Sequence, residues 1–190
     1  NLQGFLEIAL DFNLPPELVR YLAELDRCIA AEIAPLEQSN DNIRFFDHRR
    51  EHARTDWDAG GLPRTEGEAL LAEARARADR AGHFRFALPK EMGGQAGSNL
   101  AMAVLREHLA AWGLGLHNDL QNEHSIVGNS VGALLMWHYG SEAQKAEWLD
   151  DLAAGKRGFA FGITEPAHGS DATQMETRAV REGDAREIDD

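Results

Sequence analysis

The sequence predicts a mainly α-helical bundle followed by the first strands of a β-domain. Near the start of the chain, apolar residues recur at the spacing of one helix face: Leu18, Leu22, Leu25, Ile29 and Ile33. Much later, a short apolar run from Phe159 to Ile163 ends abruptly in polar residues, which is typical of a buried strand. The change between these two patterns predicts that the helical region ends near residue 156.

The first helix begins at Pro15-Pro16, because proline suits the first turn of a helix, and its apolar stripe runs to Pro35. The stretch from Glu37 to Gly61 is polar and weakly periodic, and we expect a loop there with one irregular helix. Thr65 and Glu68 then make a capping-box pattern, which predicts the start of an alanine-rich helix that ends near residue 82.

Three further helical segments follow. Serine at one end and glycine at the other predict a helix from Ser98 to Gly113. The segment from Asp119 to Tyr139 is apolar nearly all round, which indicates a helix buried on most sides. Ser141 and Gln144 form a second capping box, and Gly155 ends that helix.

Two short strands are predicted behind the helices, from Phe159 to Ile163 and from Thr177 to Arg181. We therefore divide the chain into a leader over residues 1–14, a helical domain over residues 15–156 and the beginning of a truncated β-domain over residues 157–190. Asn1 to Gly4 resembles a tag remnant, and these residues are not used to set the domain boundaries.

Composition excludes several classes of protein. The chain has 190 residues, of which 43% are apolar and 27% charged, as in ordinary globular proteins. A net charge of −13 argues against a nucleic-acid surface, which needs clustered lysine and arginine. No apolar run approaches the ~18 residues of a membrane span, and one cysteine allows no internal disulfide. We expect a cytoplasmic protein.

The most informative segment lies at residues 159–171. Its apolar run leads into Thr164-Glu165-Pro166, and a Gly169-Ser170-Asp171 turn follows. A strand that delivers small polar groups at its carboxyl end is typical of a ligand site. This spacing resembles the flavin-contacting signature of the acyl-CoA dehydrogenase family. The resemblance continues upstream through Gly128-Asn129-Ser130 and covers residues 15–184.

The resemblance implies an amino-terminal helical domain that runs into a central β-domain. It also implies an FAD-dependent oxidoreductase of fatty acid metabolism, which oxidises an acyl-CoA thioester at its α and β carbons. Electron-transfer partners and homo-oligomers are common in the family. Family members are about twice as long, so we expect the chain to be a front half. Their glutamate base lies in the carboxyl-terminal domain, and no catalytic residue is expected in this chain.

The resemblance also implies which residues contact the cofactor. The matching positions are Phe161, Gly162, Ile163, Thr164, Gly169 and Ser170. A hydroxyl and an N–H at a strand end can stabilise charge on a ring that is being reduced. Without the family pattern, Thr164 is simply a threonine that ends a strand. Asp171 is expected to tie down its own turn, and His168 is expected to face solvent without a role.

Substrate contacts are expected from Ser170 and from the helix between residues 119 and 139. In the family, the matching helix forms a wall of the acyl cavity, and here that face carries Glu123, Val127 and Val131. Glu123 lies where the end of the acyl pocket is expected. A polar residue at that point favours a substrate whose acyl tail is not purely aliphatic. Ordinary core packing, with Glu123 at the solvent edge, is an equally open interpretation.

Other functions remain open. His48, Glu51 and His52 fit an inverted zinc-protease pattern, but the segment is highly charged and lacks an obvious third ligand, so surface charge is the better interpretation and no metal site is predicted. A non-catalytic helical module that binds a partner or an acyl chain is one alternative. A flavin monooxygenase or oxidase of the same fold is another. The response of a bound flavin to acyl-CoA distinguishes these alternatives.

Overall fold

The computed structural model describes residues 13–120, 129–183 and 185–189. The chain separates into two compact units, Asn1–Gly158 and Phe159–Asp190. The described part of the first unit is helical and that of the second carries a β-hairpin, so the protein is mainly α, as predicted. None of the helices in the described ranges is long and apolar enough to cross a membrane.

Six α-helices, joined by short 3₁₀ turns and one π-helical turn, make up the described part of the first unit. They are α1 (Pro16–Cys28), α2 (Ala34–Gln38), α3 (Thr65–Arg80), α4 (Asn99–Ala110), α5 (Asn129–Tyr139) and α6 (Glu142–Ala153). Two short strands, β1 (Thr55–Asp56) and β2 (Leu62–Pro63), pair antiparallel before α3.

The predicted stripe of the first helix is confirmed. Leu25, Ile29 and Ile33 are almost fully buried, with relative exposures of 0%, 2% and 1%. The regular helix gives way to a π-helical turn over Ile29–Ile33, just before Pro35. Because proline has no backbone N–H, it cannot continue the regular hydrogen-bond ladder, and a local widening accommodates it.

Two of the three predicted helix caps are confirmed. The Ser98 hydroxyl accepts from the N–H of Ala101 at 3.1 Å. Ser141 accepts from the N–H of Gln144 at 3.3 Å, and the Gln144 side chain accepts in return from the N–H of Ser141 at 2.9 Å. These caps involve residues three apart, which the sequence determines locally.

The predicted cap at Thr65 is wrong. Thr65 already lies inside α3, and the N-cap is Arg64, which makes no side-chain cap. The N–H of Arg64 donates to the carbonyl of Arg54 at 2.8 Å, across the β1–β2 pair. This tertiary bond holds Arg64 in an extended conformation and so sets the residue at which the helix begins.

The polar stretch before α3 is irregular, as predicted, although it holds more structure than one helix. Two 3₁₀ segments, Ser39–Phe45 and His48–Ala53, precede the β1–β2 pair. Gly60 and Gly61 adopt φ values of 82° and 83° in the turn between the strands, a region that glycine enters without strain.

The first unit has two clusters of buried apolar residues. The larger one joins α1, α3 and α4 and includes Leu25, Leu105 and Leu116. The smaller one joins α5, α6 and the Lys90–Met92 turn, and its members are Leu88, Met92, Ala133, Leu152 and Ala153. Helix α5 is therefore attached to the unit through α6 and this turn.

The helix predicted from Asp119 to Tyr139 is confirmed from Asn129 onward as α5. Residues 121–128 lie outside the described residues. The predicted start is wrong, because Asp119 ends a 3₁₀ turn, Leu116–Asp119. A tertiary contact anchors that turn: the N–H of Leu116 donates to the Glu37 carboxylate at 2.6 Å.

The second unit contains the antiparallel strands β3 (Arg178–Glu182) and β4 (Ala185–Asp189). β3 confirms the strand predicted from Thr177 to Arg181, shifted by one residue, whereas β4 was not predicted. The strand predicted from Phe159 to Ile163 is wrong, since the structure assigns these residues to no strand. A strand needs a neighbour that accepts its hydrogen bonds, and the described residues of this unit offer none there.

Candidate functional site

The predicted cofactor residues lie in the second unit, ahead of β3. Phe161, Gly162, Ile163 and Thr164 form an exposed segment, with relative exposures of 38% for Phe161 and 43% for Ile163. Gly169 and Ser170 are also exposed and belong to a turn a few residues later. The structure thus places all six residues on the surface of this unit.

Several polar groups in this segment are available to a ligand. The backbone N–H groups of Phe161–Thr164 make no hydrogen bond to other described residues of the unit. The hydroxyls of Thr164 and Ser170 are likewise unpaired within that described part. Exposed N–H and hydroxyl groups are donors for an anionic or carbonyl-rich ligand.

Two glycines leave open space beside these donors. An added Cβ at Gly162 or Gly169 would meet no described atom within 4 Å, and neither residue has a positive φ that requires glycine. The described chain therefore does not need glycine at either position. Both positions allow a flat group to come close to the backbone.

Glu165 organises the segment, although sequence analysis gave it no role. Its carboxylate accepts from the N–H of Glu176 at 2.8 Å and from the N–H of Thr177 at 2.8 Å, and the Thr177 hydroxyl also donates to it. These bonds close residues 165–177, which we call the Glu165 loop, at the point where β3 begins. The partners are 11 and 12 residues away along the chain, so no local pattern could have shown them.

The same bonds alter the acidity of Glu165. Its pKa lies below the ordinary value, chiefly because the backbone N–H of Glu176 stabilises the charged form, with further help from the hydroxyl and N–H of Thr177. The three donors thus favour the ionised form of Glu165, which is the form that accepts all three bonds.

The turn inside the Glu165 loop is held by Asp171, as predicted. The Asp171 carboxylate accepts from the N–H of Gly169 at 3.1 Å. His168 does not simply face solvent: its Nδ1 lies 3.2 Å from the second Asp171 oxygen, and its side chain is only 20% exposed. His168 thus supports the turn that carries Ser170.

The predicted substrate residues are less fully described. Glu123 and Val127 lie outside the described residues. Val131 is half-buried near the start of α5, two positions from Ala133, which packs into the smaller core cluster. Two residues correspond to a rotation of about 200° around a helix, so Val131 points away from that cluster. Together with the 39% exposed Leu135, it forms an apolar face that described residues leave partly open.

Comparison with known proteins confirms the family resemblance. A family model described as the acyl-CoA dehydrogenase N-terminal domain matches residues 40–156. The chain is 35% identical over 103 residues to subunit CarC of the caffeyl-CoA reductase–Etf complex of Acetobacterium woodii. The aligned region covers 54% of this chain and 26% of CarC. It is 33% identical over 137 residues to the very long-chain specific mitochondrial acyl-CoA dehydrogenase of Rattus norvegicus. That aligned region covers 72% of this chain and 19% of the rat enzyme.

A solved structure from Mycobacterium abscessus, assigned as an acyl-CoA dehydrogenase, matches with a TM-score of 0.63 and 28% identity. The match covers 93% of this chain and 41% of that one. The chain thus spans less than half the length of each of these matched proteins. It belongs to the acyl-CoA dehydrogenase family, and residues 40–156 match the amino-terminal domain of that family.

Proposed function

We propose that this chain is the amino-terminal part of an FAD-dependent acyl-CoA dehydrogenase, which oxidises an acyl-CoA thioester at its α and β carbons in fatty acid metabolism. The observation that carries the proposal is the set of unpaired donors at Phe161–Thr164 and Ser170, in the order of the family signature. No residue of this chain is proposed as the general base.

These residues suit a flavin. The ring of a flavin has an edge of carbonyl oxygens and nitrogens, which accept hydrogen bonds from N–H and hydroxyl groups. Thr164 and the N–H groups of Gly162 and Ile163 are donors for that edge. Ser170, beside the open Gly169, is a donor for the cofactor pyrophosphate or the substrate. Bound flavin would supply a hydride acceptor, and these donors would stabilise the charge that develops.

The substrate tail is proposed to lie along α5. Val131 contributes to an apolar face that points away from the α6 side, and Glu123 and Val127 are proposed to share it. An apolar wall suits an acyl chain, while Glu123 at its end suits a tail with a polar group. Glu123, Val127 and Val131 are thus the side chains of this helix that we propose contact the substrate.

The complex to which CarC belongs supports a proposal about the partners of the present protein. CarC is a subunit of a complex that contains Etf, and we propose an electron-transfer partner for the present protein as well. We also propose that the full-length protein forms a homo-oligomer in the cytoplasm. The single cysteine, with a pKa raised mainly by burial, is compatible with a reducing compartment.

A flavin titration tests the proposal in two forms of the protein. The full-length protein should hold flavin, and the flavin absorbance should bleach when acyl-CoA is added without oxygen. The 190-residue chain alone should hold flavin poorly, because few contacts would offset the cost of immobilising the cofactor. A full-length protein without flavin would favour the binding module, and flavin that acyl-CoA does not reduce would favour an oxidase or monooxygenase.

Val131→Trp is expected to shift the chain-length preference of the full-length enzyme. A larger ring on the open face of α5 would shorten the acyl cavity, and each excluded methylene forfeits about 0.8 kcal/mol of binding. Long acyl-CoA substrates should therefore lose turnover before short ones, which kcat/KM across a series of acyl lengths would measure.

Val104→Trp is the matched control, because Val104 is also half-buried but lies on α4 against the larger core cluster. It should lower stability through overpacking, by ~1–3 kcal/mol, and leave the order of substrates unchanged. If Val131→Trp behaves in the same way, the open face of α5 is core and not a cavity wall.

A further inference from the structure

The Glu165 loop brings its two ends together through one side chain. The carboxylate of Glu165 receives two backbone N–H groups and one hydroxyl, all from Glu176 and Thr177. Thr164 directly precedes this carboxylate, and β3 begins directly after Thr177. A single residue thus ties the position of Thr164 to the two residues that directly precede the hairpin.

Shorter bonds inside the loop extend this order to Ser170. The N–H of Glu165 donates to the carbonyl of His168 at 2.9 Å, and the N–H of His168 donates back to the carbonyl of Glu165 at 3.2 Å. Asp171 then holds the N–H of Gly169. Thr164 and Ser170 therefore flank a turn that the backbone of Glu165 and the side chain of Asp171 hold together, and the Glu165 carboxylate ties this turn to the start of β3.

Packing does not replace these bonds. Pro166, Ala167 and Met175 of the loop are exposed and Ala172 is only partly buried, so apolar burial within the loop contributes little to its conformation. Hydrogen bonds to a charged acceptor are about twice as strong as neutral ones, and here three converge on one acceptor. The conformation of the loop thus depends on this carboxylate more than on any other described side chain in it.

We propose that Glu165 is a positioning residue, whose carboxylate closes residues 165–177 and thereby presents Thr164 and Ser170 in the arrangement that binds the cofactor. This role rests on the proposed flavin function. Glu165 itself does not touch the cofactor, because its carboxylate is occupied by Glu176 and Thr177. Loss of the carboxylate should keep the turn between Thr164 and Ser170 but let that turn move relative to β3, which lowers affinity by raising the ordering cost of binding.

The test compares Glu165→Ala with the wild type in the full-length protein. Flavin affinity is measured by reconstituting the flavin-free protein, and amide hydrogen exchange is measured over residues 166–177 without flavin. Glu165→Ala should weaken flavin binding by about ten- to a hundredfold, since charged hydrogen bonds are lost. Exchange at Glu176 and Thr177 should become faster, while the melting temperature of the flavin-free protein should stay unchanged.

Three further variants separate positioning from charge and from folding. Glu176→Gln keeps the backbone N–H that Glu165 binds and removes a 75% exposed carboxylate that lies 3.9 Å from Nε2 of His168, so it should change affinity and exchange much less than Glu165→Ala. Thr177→Val removes only the hydroxyl donor and should have a smaller effect than Glu165→Ala. Glu165→Gln keeps an acceptor oxygen without the charge and should recover part of the affinity.

The outcomes distinguish the two proposals. If the wild-type protein binds flavin and Glu165→Ala binds it equally well, the positioning role is overturned and the proposed function stands. Weaker binding by Glu165→Ala with unchanged exchange would also overturn it. If the wild-type protein holds no flavin, the proposed function fails together with the role of Glu165 toward it.

Discussion

Replacing Gly94 with alanine is expected to lower the free energy of unfolding of the helical unit by about 3 kcal/mol. A Cβ at this position would lie 2.0 Å from the carbonyl oxygen of Leu88 and 2.5 Å from that of Arg85. Both obstacles are backbone atoms, which cannot rotate away as the end of a side chain can. The chain must therefore shift around residue 94.

Hydrogen bonds make that shift costly. The N–H of Gly94 donates to the carbonyl of Pro89 at 3.0 Å, and the N–H of Ala96 donates to the carbonyl of Leu88 at 2.8 Å. Leu88 is fully buried in the smaller core cluster. Moving its carbonyl would thus disturb both a turn and the packing under α6.

The same movement would affect an ion-pair network. Arg85 pairs with Asp79 at 2.8 Å and with Asp150 of α6 at 3.1 Å. The pKa of Arg85 is raised, chiefly by the hydrogen bond to Asp79. Since the carbonyl of Arg85 is one of the atoms that alanine would strike, the link between α3 and α6 should weaken as well.

Urea unfolding of the chain, followed by circular dichroism, measures the effect. Gly158→Ala is the control, because an added Cβ there meets no described atom within 4 Å. It should be neutral or stabilise by about 0.4–1 kcal/mol, by reducing the freedom of the unfolded chain. Equal urea midpoints for Gly94→Ala and Gly158→Ala would show that the backbone around Gly94 accommodates a Cβ without loss of stability.

Local signals in the sequence predicted much of the helical unit. The caps at Ser98 and Ser141 and the stripe through Leu25 involve residues three or four apart, and these features formed as expected. The cap at Thr65 failed because a bond between Arg64 and Arg54, formed only in the folded chain, decides where α3 begins. Propensity near a helix start yields to such tertiary bonds.

The candidate site rests on a motif, and its geometry was not predictable. The spacing of Thr164 and Ser170 points to the segment, whose cofactor role stays a prediction, while the family model matches residues 40–156, ahead of that motif. The partners of Glu165 could not be predicted, because contacts across 12 residues depend on how the loop closes. The strand expected from Phe159 to Ile163 failed for a related reason: burial of an apolar run and pairing of a strand both require a neighbouring element, and Phe159, Phe161 and Ile163 are exposed in the described part of this unit.

Thr164→Val in the full-length protein is expected to slow flavin reduction by about ten- to a hundredfold, which corresponds to ~1–3 kcal/mol for the loss of a donor that bound flavin would cover. Valine keeps the shape of threonine and removes only the hydroxyl. In the described part of its unit that hydroxyl has no hydrogen-bond partner, so the fold should not depend on it. The melting temperature should therefore remain within error of the wild type.

Anaerobic stopped-flow reduction by acyl-CoA measures the rate, and reconstitution measures flavin affinity. Thr173→Val is the matched control, because Thr173 is an exposed threonine inside the Glu165 loop, which Thr164 directly precedes, and it is not part of the family signature. It should change neither quantity. The expected pattern is a slow reduction rate for Thr164→Val alone, since its hydroxyl is proposed to stabilise the charge that develops on the ring. Equal rates for the two variants would mean that Thr164 merely precedes the Glu165 loop and that the backbone N–H groups carry the interaction.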